Sequence, residues 1–143
     1  MGTSADGGSI MKKLDHIAIA VPDLTAAVEQ YKAALGVTIS APQELPEHGV
    51  RIVFVKLQNA TIELMEPFGE GSPIVSFLER NPSGGIHHFC LGDPEFNTTL
   101  ARVKDSGARA LGEPKIGAHG NPVMFLHPKD FQGTLIELEK IAE

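Results

Sequence analysis

The sequence predicts an α+β fold built from two similar modules, each with the order strand, helix and three strands. Three segments occur twice, about half a chain length apart. These pairs are residues 14–19 and 86–91, residues 48–55 and 119–126, and residues 61–64 and 135–138. A module of this size cannot easily bury both faces of its sheet alone, so we expect the two modules to pair.

Composition limits the classes of function that need to be considered. A chain of 143 residues fits one domain with a real core. The net charge of −6, without a block of like charges, argues against nucleic acid as a partner. No apolar run approaches the ~20 residues that cross a bilayer, so we expect no membrane partner.

Cysteine use and the absence of a targeting pattern suggest a compartment. Cys90 is the only cysteine, so no intramolecular disulfide can form, which suits a reducing environment. No signal or transit peptide is recognisable at the N-terminus. We therefore expect a cytoplasmic protein, or one in the mitochondrial matrix if the source is eukaryotic.

The domain boundaries follow from the repeat. Residues 1–11 are rich in glycine and serine and have no periodicity, which is typical of a disordered tail or a tag remnant. Residues 12–143 are expected to form one domain. Module one spans about 12–67, a linker helix lies within 68–83, and module two spans about 84–141.

Module one is predicted to begin with a strand and a helix. Residues 14–21 alternate as a strand does, with His16 on one face together with Ala18 and Ala20. A helix follows, with Asp23 or Thr25 as N-cap and Gly36 at its end. Its predicted buried stripe consists of Leu24, Val28, Tyr31 and Leu35.

The rest of the chain is predicted from turn signals and from the repeat. Residues 42–46 are expected to be a loop, and residues 50–57 and 60–65 to be strands. Ser72 is predicted to cap a short linker helix with Pro73 at its first position. In module two we expect a helix over residues 95–106 and strands over residues 86–91, 122–126 and 134–138.

Four residues at repeat-equivalent positions point to a metal site. His16 and His88 lie in the first strand of each module, and Glu63 and Glu137 lie between apolar residues in the last strand. A charged carboxylate in a buried strand costs several kcal/mol unless it is paired or bound to a metal. The alternative is a half-exposed sheet face with hydrogen-bonded core histidines, but the coincidence of four favours the metal site.

The donor set limits the identity of the ion. Two imidazoles and two carboxylates favour a divalent ion such as Co²⁺, Mn²⁺, Ni²⁺, Mg²⁺ or Zn²⁺. Four protein ligands would leave two octahedral positions for substrate oxygens, an arrangement that suits Lewis-acid stabilisation of an enolate. His87 points to the opposite face from His88 and is expected to be structural, and His127 is expected to be a turn or substrate-edge residue.

At these residues the chain resembles a known family. It is similar to the vicinal oxygen chelate, or glyoxalase-like, superfamily, and within it to the methylmalonyl-CoA epimerases. The resemblance covers roughly residues 14–140. The segments that carry it are residues 14–21, 72–74, 84–88, 113–120, 125–130 and 133–138.

The resemblance implies a fold and an activity. The fold would be two paired βαβββ modules that form a cupped mixed sheet around a metal. The activity would interconvert the R and S epimers of methylmalonyl-CoA through an enolate stabilised by the metal. The family's ligands carry over to His16, Glu63, His88 and Glu137, and Co²⁺ is the expected ion. Glu137 is also the family's expected proton acceptor or donor.

One departure leaves the second proton-transfer residue open. Several bacterial relatives carry a catalytic glutamate where this chain has Ile52, which cannot transfer a proton. The candidates are His119, Glu47 and His48, with His119 ranked slightly first. The two histidines suit the role because imidazole titrates near neutrality. The alternative is that all three are loop residues at the mouth of the cavity.

The resemblance also implies partners. Lys115 and Lys129 lie beside the matched loops and are candidates for binding the CoA phosphates, although surface lysines are usually only solvated. A homodimer is expected. Two other functions remain open from the sequence: another metalloenzyme of the same superfamily, such as a glyoxalase I-like lyase or an extradiol dioxygenase, and a metal-free small-molecule binding protein.

Overall fold

The computed structural model describes residues 10–142, and the predicted tail, apart from residues 10 and 11, lies outside them. The chain divides into two compact units. The first unit spans residues 16–87, and the second combines residues 10–15 with residues 88–142. Each unit contains one copy of the strand–helix–strand repeat, so equivalent positions can be compared between the two units.

The first unit has a mixed sheet and two helices. The elements are β1 (Lys13–Ala20, mostly in this unit), α1 (Leu24–Leu35), β2 (Thr38–Ile39), β3 (Gln43–Leu45), β4 (Val50–Lys56), β5 (Thr61–Pro67) and α2 (Val75–Arg80). The strand order is β2-β4-β5-β1, and β3 also pairs with β4. β1 and β5 are parallel, and every other pair within the unit is antiparallel among the described residues.

Helix α1 begins and ends where the sequence predicts. The Asp23 carboxylate accepts a hydrogen bond from the Ala26 N–H at 3.1 Å, as an N-cap does. Gly36 has a φ of 63°, and its N–H donates to the Lys32 carbonyl. Leu24 is 1% exposed, but the prediction that Leu35 is buried is wrong: it is the last helical residue and is 63% exposed.

The core of the first unit lies between α1 and one face of the sheet. It consists of Val21, Leu24, Val53, Val55 and Leu64. Because side chains alternate along a strand, the residues next to these point away from the helix. Phe54 pairs with Glu63, and Ile52 pairs with Met65, on that opposite face. The glutamate in β5 therefore lies on the side of the sheet that the helix does not cover.

The second unit repeats this design. Its elements are β6 (Gly85–Asp93, mostly in this unit), α3 (Phe96–Ser106), β7 (Ala110–Ile116), β8 (Pro122–Leu126) and β9 (Ile136–Lys140). The strand order is β6-β9-β8-β7, again with the first and last strands parallel. The core consists of Phe96, Met124, Leu126 and Leu138. Val123 pairs with Glu139, and Phe125 pairs with Glu137, on the face away from α3.

Two predicted segments differ from the structure. Residues 42–46, predicted as a loop, contain β3, and a 3₁₀ turn follows at Pro46–His48. The linker helix starts at Val75 instead of Pro73, and Ser72 does not cap it. The Ser72 hydroxyl donates to the Gly49 carbonyl at 2.6 Å, which satisfies a loop instead of a helix end. Among the described residues, no helix is long and apolar enough to cross a membrane.

Candidate active site

A buried histidine and a buried glutamate are in contact in the second unit. His88 Nε2 lies 3.1 Å from Glu137 Oε1, and the two residues are 5% and 8% exposed. β6 and β9 are parallel with Cys90 opposite Glu137, so His88 lies diagonally across from the glutamate on the same face. The ring of Phe125 packs edge-on against the His88 imidazole, with centroids 5.2 Å apart. Packing on one side and the carboxylate on the other fix the ring.

The spacing of this pair suits a shared divalent ion. Imidazole nitrogen and carboxylate oxygen bind such ions at about 2.0–2.2 Å, so two ligands at right angles have donor atoms about 3 Å apart. The donor atoms of His88 and Glu137 are already at that separation. The donor chemistry of this pair therefore fits a divalent metal.

A second histidine–glutamate pair lies beside the first on β9. Glu139 is 3% exposed, and its Oε2 lies 3.3 Å from Nδ1 of His119 and 3.1 Å from Nδ2 of Asn121. The Cys90 thiol donates to Oε1 of Glu139 at 3.8 Å. Since Glu137 and Glu139 are two residues apart in a strand, both carboxylates face the same side.

Burial makes Cys90 a poor thiolate. Cys90 is 0% exposed, and desolvation raises the pKa of its thiol far above the usual value of 9.0. The carboxylates of Glu137, Glu139 and Asp15 raise the pKa further. The thiol therefore stays protonated and acts as a small hydrogen-bond donor in this unit.

The first unit holds the repeat-equivalent residues His16 and Glu63. They are 5% and 7% exposed. Glu63 pairs with Ala18 across β1 and β5, and His16 pairs with Thr61, so the two side chains are diagonal neighbours on one sheet face. This is the placement that His88 and Glu137 have in the second unit.

Ile52 and the candidates near it occupy different environments. Ile52 is 0% exposed and lies on the Glu63 face of the first unit. A buried apolar side chain therefore occupies the position at which several bacterial relatives are expected to carry a catalytic glutamate. His48 is half-buried and Glu47 is exposed, and both lie in the 3₁₀ turn. β4 begins only at Val50, so strand alternation does not determine which face His48 occupies.

Two other histidines have structural neighbours. The His87 ring packs edge-on against Phe77 within the first unit, at 5.1 Å between centroids. His127 caps a 3₁₀ turn, where its Nδ1 accepts a hydrogen bond from the Lys129 N–H at 3.1 Å. In the same turn Asp130 binds Arg109, whose guanidinium lowers the pKa of the Asp130 carboxyl.

The two candidate CoA-binding lysines are both exposed. Lys115 lies in β7, where it pairs with Val123 of β8, and Lys129 lies in the 3₁₀ turn after β8. Their ammonium groups are thus accessible to a phosphate from solvent.

Sequence reasoning overlooked Glu139. One signal was present: Glu139 follows Glu137 by two residues and therefore shares its face, whereas the equivalent of Glu139 in the first repeat is Met65. The contact with His119 could not be foreseen, because it depends on how the loop before β8 folds.

Comparison with known proteins places the chain in a family. The model of the glyoxalase/bleomycin resistance protein/dioxygenase superfamily matches residues 15–125. A protein of Cereibacter sphaeroides named ethylmalonyl-CoA/methylmalonyl-CoA epimerase is 57% identical over 131 residues, which cover 90% of this chain and 98% of that protein. The chain belongs to the methylmalonyl-CoA epimerase family.

Other methylmalonyl-CoA epimerases agree with this assignment. The human mitochondrial enzyme is 50% identical over 129 residues, which cover 90% of this chain and 73% of that protein. A solved methylmalonyl-CoA epimerase in complex with methylmalonyl-CoA and NH₄⁺ superposes with a TM-score of 0.83 at 35% identity, covering 92% of this chain and 96% of that one. The predicted fold class, the α+β fold of this superfamily, is confirmed.

Proposed function

We propose that this protein interconverts the R and S epimers of methylmalonyl-CoA. The observation that carries the proposal is the 57% identity to an epimerase of that name over nearly its whole length. The buried His88–Glu137 pair supports it, because removal of a proton next to a thioester carbonyl needs a base in a site that excludes water.

Incubation in deuterated water tests the activity. The purified protein is loaded with Co²⁺ and given (2S)-methylmalonyl-CoA, and C2 is followed by NMR and chiral analysis. We expect deuterium at C2 together with a mixture of epimers. If C2 retains its hydrogen and its configuration, the protein does not have this activity.

Four residues would hold a divalent metal: His16, Glu63, His88 and Glu137. The support comes from each unit separately, since the histidine and the glutamate are buried on one sheet face in both. When bound, the ion supplies Lewis-acid stabilisation of negative charge on substrate oxygens. Co²⁺ is the proposed ion, and Mn²⁺, Ni²⁺, Mg²⁺ and Zn²⁺ fit the same donors.

Metal analysis after dialysis tests the ligand set. We expect about one divalent ion per chain in the native protein and a large loss of bound metal in His88→Ala. A native protein that binds no divalent ion would instead favour a metal-free binding protein. Turnover of methylglyoxal with glutathione would favour a glyoxalase I-like lyase.

Proton transfer would use Glu137 and His119. The Glu137 carboxylate takes the C2 proton from one face of the substrate, and the imidazolium of His119 returns a proton to the other face. One turnover leaves Glu137 protonated and His119 neutral, which is the starting state for the reverse reaction. Exchange of protons with solvent restores the starting state for another forward turnover. His119 is preferred to His48 and Glu47 because it contacts a buried carboxylate on the Glu137 face of β9.

Substrate range is the second part of the proposal. The relative at 57% identity is named for ethylmalonyl-CoA as well as methylmalonyl-CoA, so we propose that this protein also accepts ethylmalonyl-CoA. Comparison of kcat/KM for the two thioesters tests this. An ethylmalonyl-CoA rate below the detection limit would restrict the protein to the smaller substrate.

Binding of CoA and assembly complete the proposal. Lys115 and Lys129 are proposed to bind CoA phosphates, so Lys115→Ala and Lys129→Ala should raise KM more than they lower kcat.

A homodimer is also proposed, and light scattering at low micromolar protein concentration tests it. A cytoplasmic location, supported by the single cysteine, is tested by fractionation of the source cells.

A further inference from the structure

We propose that Glu139 is a positioning residue, which holds His119 in the tautomer and orientation that proton transfer at C2 requires. This inference rests on the proposed function, because it takes His119 as the second proton-transfer group. The supporting observations are the contacts of Glu139 within the second unit.

The Glu139 carboxylate is buried and has three donors around it. Oε2 faces His119 Nδ1 at 3.3 Å and the Asn121 amide nitrogen at 3.1 Å, and Oε1 faces the Cys90 thiol at 3.8 Å. A buried carboxylate is tolerated when donors of this kind surround it. All three neighbours can donate a hydrogen bond, so the carboxylate can be the acceptor in each of these contacts.

The contact determines the state of the His119 ring. With the carboxylate of Glu139 as the acceptor, Nδ1 of His119 carries the proton that it presents to Oε2. In the neutral ring the other nitrogen, Nε2, then has the lone pair. Nε2 is therefore the atom that takes a proton from substrate and returns it, while Glu139 accepts the hydrogen bond from Nδ1.

The loop before β8 supports this geometry. The Gly117 N–H donates to the Asn121 carbonyl at 2.9 Å, and the Gly120 N–H donates to the Gly117 carbonyl at 3.0 Å, which closes a tight turn. A Cβ at Gly117 would lie 2.8 Å from Cγ1 of Val123, so the turn is packed directly against β8. Since Val123 pairs with Glu139, the turn brings His119 to that carboxylate.

The two units differ at the position of Glu139. His48 is the equivalent of His119 in the first unit, and Met65, 4% exposed, is the equivalent of Glu139. A thioether cannot accept a strong hydrogen bond from an imidazole. The group that His119 contacts is thus a carboxylate, whereas the equivalent position of the first unit holds a thioether.

The first test measures the ring directly. Nitrogen-15 NMR of the Zn²⁺-loaded protein, with His119 assigned from its loss in His119→Gln, reports which nitrogen carries the proton. We expect the Nδ1–H tautomer in the native protein and a shift toward Nε2–H in Glu139→Met, which copies the first unit. The same tautomer in both proteins would overturn the proposal, whatever the activity of the enzyme.

The second test is a double-mutant cycle on kcat and KM. We expect Glu139→Met to lower kcat about 10–100-fold, as loss of a carboxylate that orients a functional histidine does, with KM changed less than about twofold. His119→Ala/Glu139→Met should be no slower than His119→Ala alone, because Glu139 acts only through the ring. Multiplying losses would show that Glu139 acts independently and would refute the proposal.

Controls separate misfolding and failure of the proposed function from failure of this inference. Glu79→Met replaces an exposed helical glutamate and should have native kinetics. If Glu139→Met does not fold, Glu139→Gln keeps the volume and an acceptor and should retain the native tautomer with a smaller loss of kcat. If His119→Ala is fully active, His119 is not the second acid/base, and the NMR result alone decides whether Glu139 orients it.

Discussion

Two buried glutamates that face the same side of β9 dominate the chemistry at the scale of single residues. Glu137 is in contact with His88, and Glu139 is in contact with His119, so each carboxylate has its own imidazole. The two carboxylates have different proposed roles because they contact different histidines. Glu137 belongs to the proposed metal and base set, whereas Glu139 only orients another side chain.

Replacement of the Glu137 carboxylate should remove catalysis and leave the fold intact. Glu137→Gln keeps the shape but cannot accept the C2 proton, and a general base contributes about 10²–10⁴-fold in rate. We expect kcat to fall by about 10²-fold or more, with an unchanged circular dichroism spectrum. Glu79→Gln is the matched surface control. Activity within tenfold of native would exclude Glu137 as the base.

The buried thiol gives a prediction that depends on pH. The pKa of Cys90 is raised in the folded protein, so the unfolded chain loses the proton first as pH rises. The corresponding stability is present below about pH 9 and is lost progressively above it. Urea unfolding at pH 8 and pH 10 should show this loss. A Cys90→Ala variant should lack this part of the pH dependence.

At the scale of elements, helix α1 depends on its N-cap residue, Asp23. Asp23→Ala removes the acceptor for the Ala26 N–H and should cost about 1 kcal/mol of unfolding free energy. Asp23→Asn keeps an N-cap side chain and should cost less. Both should retain native kcat, since Asp23 is outside the proposed site. Equal stability of Asp23→Ala and the native protein in urea would contradict this assignment.

The connection into β6 depends on the space around Gly84. A Cβ there would lie 2.5 Å from the Ala20 carbonyl oxygen, and the φ of Gly84 is +92°. Gly84→Ala should therefore destabilise the protein by about 2 kcal/mol or more. Gly69→Ala is the matched control, because its φ is also positive but its Cβ would have nothing within 4 Å. Equal losses in urea denaturation would show that contact with Ala20 adds no strain.

The elements also show how far the sequence predicts the fold. The repeat correctly indicated the strand–helix–strand order, and Asp23 and Gly36 marked the ends of α1. β3 was missed because the prolines at 42 and 46 resemble loop signals. Ser72 was misassigned because its hydroxyl bonds a distant carbonyl, at Gly49, instead of the adjacent helix.

The site could be predicted only in part for a related reason. The repeat identified four buried candidates, since an acid between apolar strand residues is visible in sequence. The Glu139–His119 contact joins β9 to a turn twenty residues earlier, and local periodicity carries no information about such a pairing.

At the scale of the whole molecule, metal binding should contribute to stability. A ligand at 100 times its Kd stabilises the folded state by about 2.7 kcal/mol, which raises the melting temperature of a chain of this size by roughly 5–10 °C. Chelator treatment should therefore lower both Tm and activity, and added Co²⁺ should restore both. Glu79→Gln should behave as the native protein does. A Tm that does not respond to chelator or Co²⁺ would contradict the metal proposal.

The difference between Met65 and Glu139 also limits what an exchange of modules could achieve. A chain assembled from two copies of the first repeat would keep a histidine and a glutamate at the positions of His16 and Glu63 in each copy. It would carry methionine at both positions equivalent to 65 and 139, so neither copy would have the carboxylate that contacts His119.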